Sequence, residues 1–493
     1  MPAERFNPKV DGWSFENWGE DSGFDWDLFR ETYLGVNPTE DCVEAPLDCS
    51  FFEIFKICAK LGNCGGMSIL ALALHKYGGY FGFCKPANFY AGDKDGPYRP
   101  DLRRAINIIQ ARQFNVNCIR NFMDMWKAGT LNNAAIAHQR VKELLGTGDY
   151  PVLWINTGLM DENAHTVIPY NYIDGPGWPK YLNIWDSNHP GDDSRMMTIN
   201  SATDWTYTSK NTTYSGQANG WCFAVPMSLV LQKARHPVSM GYAVDDIMTL
   251  FVTGSGAAIG QISDEDGRRL YHQDADFHTS RGDLETDPAR RLSDCCRWPW
   301  YGRGRTDEQR SEIYFYRRNP GVSSRLAITL NGTRYRAVYG GANNLIAVEA
   351  DSGSPGRDEV IISALGSAHQ SVGITASREG RSIAIRQARM GTDARSWRAL
   401  EVRDLDLTKG DRVTMVVAKD FCSVMVSAGG REVPFILRME QGAGKKAMQR
   451  DETELLTRPN RLISFWPDDW RDLKKTTIQK EEISIPRGLR PGI

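Results

Sequence analysis

At Gly146-Thr147-Gly148 the spacing of apolar residues changes, and this change restricts the fold more than any other feature of the chain. Upstream, residues 51–61, 64–77, 101–114 and 133–145 carry apolar side chains on a 3.6-residue period, which predicts helices. Downstream, Pro151-Val152-Leu153-Trp154-Ile155 reads as a short apolar strand. Ala164 to Tyr172 reads as a second strand, with His165, Val167, Pro169 and Asn171 on one face. Tyr181 to Asp186 reads as a third, joined to the second by the turn-rich stretch from Ile173 to Lys180. Helices followed by antiparallel strands predict an α+β domain.

A chain of 493 residues exceeds one ordinary core, so two or three domains are expected. The first is assigned to residues 1–240. Its opening 45 residues are aromatic and acidic, with Trp13, Phe15, Trp18, Phe24, Trp26 and Phe29. They read as an extended cover packed on their own domain, with a peptide-binding arm as the alternative. From Ile247 the chain is strand after strand, for example Glu312–Tyr316, Arg325–Leu330 and Arg412–Val417. One or two β-sandwiches are expected over residues 245–442, with Asp351–Gly356 as either an internal boundary or a loop. Residues 443–493 read as a charged, loosely packed tail.

Composition excludes some partners. Hydrophobic residues make up 41% and charged residues 24%, as in globular proteins, and the net charge is −2. That charge divides as −5 before residue 241 and +3 after it, so neither half offers a stripe for nucleic acid. No stretch is long enough for a membrane span, and the N-terminus lacks an apolar signal region. A cytoplasmic location is the default expectation, with signal-independent export left open. Ten cysteines in this length do not form a disulfide scaffold. Cys42 with Cys49 and Cys58 with Cys84 are the pairings left open, and Cys295-Cys296 read as incidental thiols. No cysteine or histidine spacing suits structural zinc, and no phosphate or dinucleotide loop is intact, so neither metal nor cofactor is expected.

One thiol stands apart. Cys64 opens the helical run Cys64-Gly65-Gly66-Met67-Ser68-Ile69-Leu70, where unpaired N–H groups and the positive end of the helix dipole favour thiolate. Gly65 and Gly66 are expected to let a substrate backbone approach the sulfur. His165 is the candidate base. His75, eleven residues along the same helix and about 16 Å away, is not. A hairpin turning near Pro176 brings the stretch 186–188 opposite His165, with Asp186 and Asn188 on the same face. Parity does not choose between them; Asp186 is preferred because its charge would stabilise an imidazolium.

These residues resemble a known group. Cys64-Gly65-Gly66-Met67-Ser68 at a helix start, Ala164-His165-Thr166-Val167 on a strand, and Trp185-Asp186-Ser187-Asn188 after it look like the papain-like cysteine peptidase superfamily. In particular they are similar to bacterial papain-like peptidases with a helix-start Cys-Gly/Phe-Gly-Met motif. The likeness covers roughly residues 10–225. It implies a Cys64 nucleophile, a His165 base, an Asp186 orienting carboxylate, and a peptide or protein substrate cleaved through a thioester. Transamidase or deamidase chemistry would use the same three residues. The resemblance departs at one place: no Gln precedes Cys64 within residues 51–63 to donate to an oxyanion. Asn63 is the substitute donor considered, and Asn188 a supporting residue. The alternative is an inactive relative whose β-rich part binds a protein partner.

Overall fold

In a computed structural model the chain divides into two compact units, one built mainly from Met1–Glu40 and Cys49–Pro237, the other mainly from residues 238–493. The structure describes residues 5–237 except 21, 41–45, 57, 61, 158–163 and 218–219. Of residues 247–484 it describes all but 256–257, 264–268, 273–294, 298–309, 318–325, 342–343, 364–368, 391–395, 419–423, 429–430, 444–448, 458–460, 471 and 474–476.

The first unit has helices and an antiparallel sheet, as the change of period predicts. Short helices α1 (Pro8–Asp11) and α2 (Trp26–Thr32) precede α3 (Pro46–Phe55) and the buried α4 (Cys64–Tyr77). Gly78, at φ 66°, ends α4 in the left-handed conformation that glycine adopts without steric cost. Helices α5 (Pro100–Arg112), α6 (Val116–Lys127) and α7 (Ala134–Thr147) follow. The sequence reading had no counterpart for α2 or α6. In α6, Asn117, Arg120, Asn121 and Asp124 fall at i, i+3, i+4 and i+7 and form one polar stripe, so the helical period is present in the sequence there.

Seven strands then pair antiparallel in the order 212–215, 205–209, 196–199, 177–185, 164–175, 151–156, 222–226. The strand at 151–156 is buried along its whole length, because neighbours cover it on both sides and α7 packs on it. In the 164–175/177–185 hairpin, Ile168 stands opposite Trp185, so the register continues with Asp186 at the level of Val167, two residues from His165. Val167, Ile184, Met197, Trp205 and Cys222 from these strands form one core with Ala134, Ala137 and Val141 of α7. The N-terminal aromatics pack as a cover: Trp13, Phe15, Trp18, Phe24, Trp26 and Phe29 are all buried. Phe24, Trp26 and Phe29 meet Phe52 and Phe55 of α3 at ring distances of 4.9–5.5 Å.

Among the described residues, the second unit is one sheet of sixteen strands that forks. Its stem is a long hairpin, Leu326–Gly341 against Asn344–Ser363, with a register break between Gly332 and Arg334. On one side of the break Asn344–Asp351 pairs with 381–390, and on the other Glu359–Ser363 pairs with 369–375. The two leaves face one core, which takes Ile385, Val402 and Leu437 from the first and Val372, Met415 and Phe465 from the second. This is the packing of a β-sandwich whose sheets share their stem strands. Asp351–Gly356, expected as a boundary or loop, lies inside a strand at the fork. Residues 443–493 are not a loose tail where described: 449–456, 461–467 and 478–484 are strands of the same sheet. Their charges line exposed strand faces, and charge on such a face is compatible with pairing.

The fork is held by a buried ion pair. Asp358 and Arg381 are both fully buried, 3.0 Å apart. Arg381 donates to the carbonyls of Gly332 and Thr333, and Asp358 accepts from Tyr335 Oη and from Ser377. A Cβ on Gly356 would overlap the Arg381 guanidinium, so the stem needs glycine there.

Candidate active site

Cys64 is the first residue of α4 and is half-buried, while the rest of that helix is sealed from Gly65 to Leu74. Among the described residues, the N–H groups of Cys64 and Gly65 meet no acceptor, and that of Gly66 donates to Gln110 Oε1 at 2.8 Å. The helix start therefore presents open donors beside the sulfur. Gly65 and Gly66 serve packing, not substrate access. A Cβ on Gly65 would overlap the Gln113 side chain, and one on Gly66 the carbonyl of Ile106. Both glycines let α4 lie against α5.

His165 is buried at 3% exposure, and its Nε2 lies 2.7 Å from Asp186 Oδ1. A carboxylate only accepts, so Nε2 carries the proton and Nδ1 is left for the Cys64 thiol, to whose charge the ring is coupled. Asp186 is fully buried. Its Oδ2 accepts from Tyr207 Oη at 2.7 Å and its Oδ1 from the Asn188 N–H at 2.8 Å. The Tyr214 ring stacks 6.2 Å from the imidazole and covers it.

The charges follow from these contacts. Burial opposes a charge on His165, but the Asp186 carboxylate and Cys64 outweigh it and push the imidazole up to about 10. Burial likewise opposes ionisation of Asp186; His165 and the hydroxyls of Ser209 and Tyr207 hold it well below the usual carboxylate range. The Cys64 thiol is raised by burial, yet the His165 hydrogen bond and charge, with the Thr166 backbone, bring it below its ordinary value. Cys58, Cys118 and Cys222 are pushed far up by burial and stay protonated. Cys64 is thus the thiol poised to ionise, and an imidazolium stands next to it.

The structure brings Cys64, His165 and Asp186 together. It does not bring Asn63 to the cleft surface: that side chain is fully buried, and neither its Nδ2 nor its Oδ1 has a partner. Asn188 lies at the site, with Nδ2 3.4 Å from His165 Nε2 and 3.0 Å from Ser209 Oγ. His75 is engaged elsewhere, by Asp11 and Tyr150. His138 is buried near Asp174, and His189 is tied to Arg195 in a turn. Cys49 is disulfide-bonded; Cys42, the mate considered for it, lies outside the described residues, and Cys58 and Cys84 are free. No group among the described residues has the ligands for a metal ion, and no described helix is long and apolar enough to cross a membrane.

Sequence reasoning missed Asn17, Gln110, Tyr207, Ser209 and Tyr214. Tyr207 and Ser209 carried one signal, strand parity that puts both on one face of 205–209. Nothing in the sequence pointed to Asn17 or Gln110, whose partners are 46 and 44 residues away along the chain. Comparison with protein-family models, with curated proteins and with solved structures finds no match to this chain.

Proposed function

We propose that the first unit is a thiol hydrolase of the papain-like kind, most simply a peptidase. The observation that carries this reading is the His165–Asp186 hydrogen bond beside Cys64, with the sulfur half-exposed at a helix start where, among the described residues, the N–H groups of Cys64 and Gly65 meet no acceptor. A thiol needing only to fill space would be protonated, as burial makes Cys118 and Cys222.

The chemistry follows from the pair. The Cys64 thiolate attacks the scissile carbonyl, and the oxyanion that forms lies against the Cys64 and Gly65 N–H groups. The tetrahedral species collapses to a thioester as the His165 imidazolium gives its Nδ1 proton to the leaving amine. Neutral His165 then takes a proton from water, which attacks the thioester and releases the acid. The sulfur leaves as thiolate and the imidazole as imidazolium, so the resting pair is restored. Asp186 stays ionised throughout and holds the ring and its tautomer. An amine in place of water would give transamidation with the same residues. No cofactor enters any step. The second unit is read as an accessory domain for a substrate or partner.

Iodoacetamide tests this reading in the full chain. Cys64 should alkylate well below pH 8.5, and His165→Ala should lose that reactivity, read by mass spectrometry of the peptide carrying Cys64. A Cys64 as inert in wild type as in His165→Ala ends the enzyme reading and leaves the inactive binding protein. With a peptide and amide substrate library, Cys64→Ala should remove every turnover seen in wild type.

A further inference from the structure

We infer that Asn17, from the N-terminal cover, is a positioning residue of the active site: it sets the direction of the Asn188 amide and so reserves the His165 Nε2 proton for Asp186. This rests on the thiol-hydrolase reading of the same site.

The argument starts from a donor that cannot change its role. The backbone N–H of Asn63 requires an acceptor, and it points at Asn17 Oδ1 at 2.7 Å, with the Trp18 carbonyl at 3.0 Å. This fixes the Asn17 amide, because the flipped group would set a donor against a donor. Its Nδ2 is then turned to Asn188, 3.2 Å from Oδ1. Asn188 must present its oxygen to Asn17, and its own Nδ2 therefore faces Ser209 Oγ at 3.0 Å and His165 Nε2 at 3.4 Å. Asn188 Nδ2 and protonated Nε2 are both donors, so no hydrogen bond forms between them. The Nε2 proton goes to Asp186 alone, at 2.7 Å.

Without Asn17, the Asn188 amide is free to turn. Its oxygen would then face Nε2 and compete with Asp186 for the ring proton. Asn17 also ties the residue before Cys64 to the loop after Asp186, through Asn63 on one side and the Ser187 carbonyl on the other. Glu16 and Lys210 pair 2.8 Å apart and anchor the same stretch. One residue thus links the thiol's helix to the carboxylate's loop, by its side chain to Asn63 and Asn188 and by its backbone N–H to Ser187, and it bears on the spacing of the Cys64–His165 pair. Asn17 is half-buried and its side chain makes polar contacts to Asn63 and Asn188, so its loss should alter geometry more than folding.

The test is the pH profile of Cys64 alkylation in the full chain, for wild type, Asn17→Ala, Asn17→Asp, Asn188→Ala, the Asn17→Ala/Asn188→Ala double variant and His165→Ala. Asn17→Ala should alkylate about tenfold more slowly at pH 7, with its acid limb moved up towards the ordinary thiol range. Asn17→Asp keeps the acceptor for Asn63 but removes the donor to Asn188, and should shift the limb the same way. Asn17→Ala on the Asn188→Ala background should add little, as expected for residues acting through one contact. A wild-type profile in both Asn17 variants overturns the inference, as do fully additive effects in the double variant. Should Asn17→Ala fail to fold, Asn17→Asp decides, alone and on the Asn188→Ala background. The underlying reading fails separately, and only if wild type and His165→Ala alkylate alike.

Discussion

Asp186 and Asp358 are both carboxylates without solvent exposure, and each meets a cation within 3.0 Å, yet the two pairs do different work. Around Asp358 every neighbour is committed. The Arg381 guanidinium binds two carbonyls, and Tyr335 and Ser377 fill the remaining acceptor sites of Asp358. The result is a clamp at the fork of the sheet, with nothing left to react. Around Asp186 the cation is an imidazole, which can lose its proton, and its far side meets a thiol that is half-exposed. The same burial that makes one pair a fastener makes the other a poised acid–base system. What separates them is the titratability of the cation and access to one atom beyond it.

The largest effect expected from breaking this contrast is in the clamp. Arg381→Met leaves a buried carboxylate and two carbonyls without their donor, and should cost the second unit about 3–5 kcal/mol in chemical denaturation. Cys64 alkylation should not change; a parallel loss of reactivity would mean that the two pairs are coupled. In the first unit, Asp186→Asn should lower turnover about a hundredfold, roughly 2.7 kcal/mol in the barrier, with a smaller effect on folding. If folding suffered more than turnover, Asp186 would be a fastener like Asp358.

Alkaline pH separates the pairs more gently. His165 is raised to about 10, so its contribution to stability is complete below the ordinary imidazole value and fades as pH climbs towards 10. Asp186 is depressed, so its contribution holds above the ordinary carboxylate value and is lost as pH falls through the folded one. Hydrogen exchange in the full chain should therefore show residues 164–175 losing protection between pH 7 and 10, relative to residues 381–390, after correction for the intrinsic exchange rate. Equal behaviour of the two segments would count against a charged His165. The smallest effect is at the rim of the site. Tyr207→Phe removes one hydroxyl from Asp186 and should slow Cys64 alkylation up to about tenfold, with the acid limb moved up.

Much of this was legible in the chain, for reasons that particular residues make plain. Cys64 stands out because an apolar helical run starts at it, and the Gly78 that ends the run is a local stop. His165 could be matched to the 186–188 stretch from hairpin parity, which left Asp186 and Asn188 as alternatives. The role of Gly65 and Gly66 was misread, because the side chain and carbonyl they make room for belong to α5, some 40 residues on. The strands after residue 443 were hidden by their charge, since one polar face does not disclose what the other face packs on.

The sequence alone determined the local facts: where apolar period switches from helix to strand, which thiol begins a helix, and which histidine sits on a strand beside it. Those depend on neighbours within a turn or a hairpin. Tertiary structure decided the rest. It chose Asp186 over Asn188: the strand ends at Trp185, so the parity that gave them one face stops there, and the bonds from Asn17, Tyr207 and Ser209 tell them apart. It also folded one continuous strand into two leaves at Asp358 and Arg381. These outcomes depend on donors and acceptors meeting across long separations in the chain, and no residue's pattern with its neighbours records them.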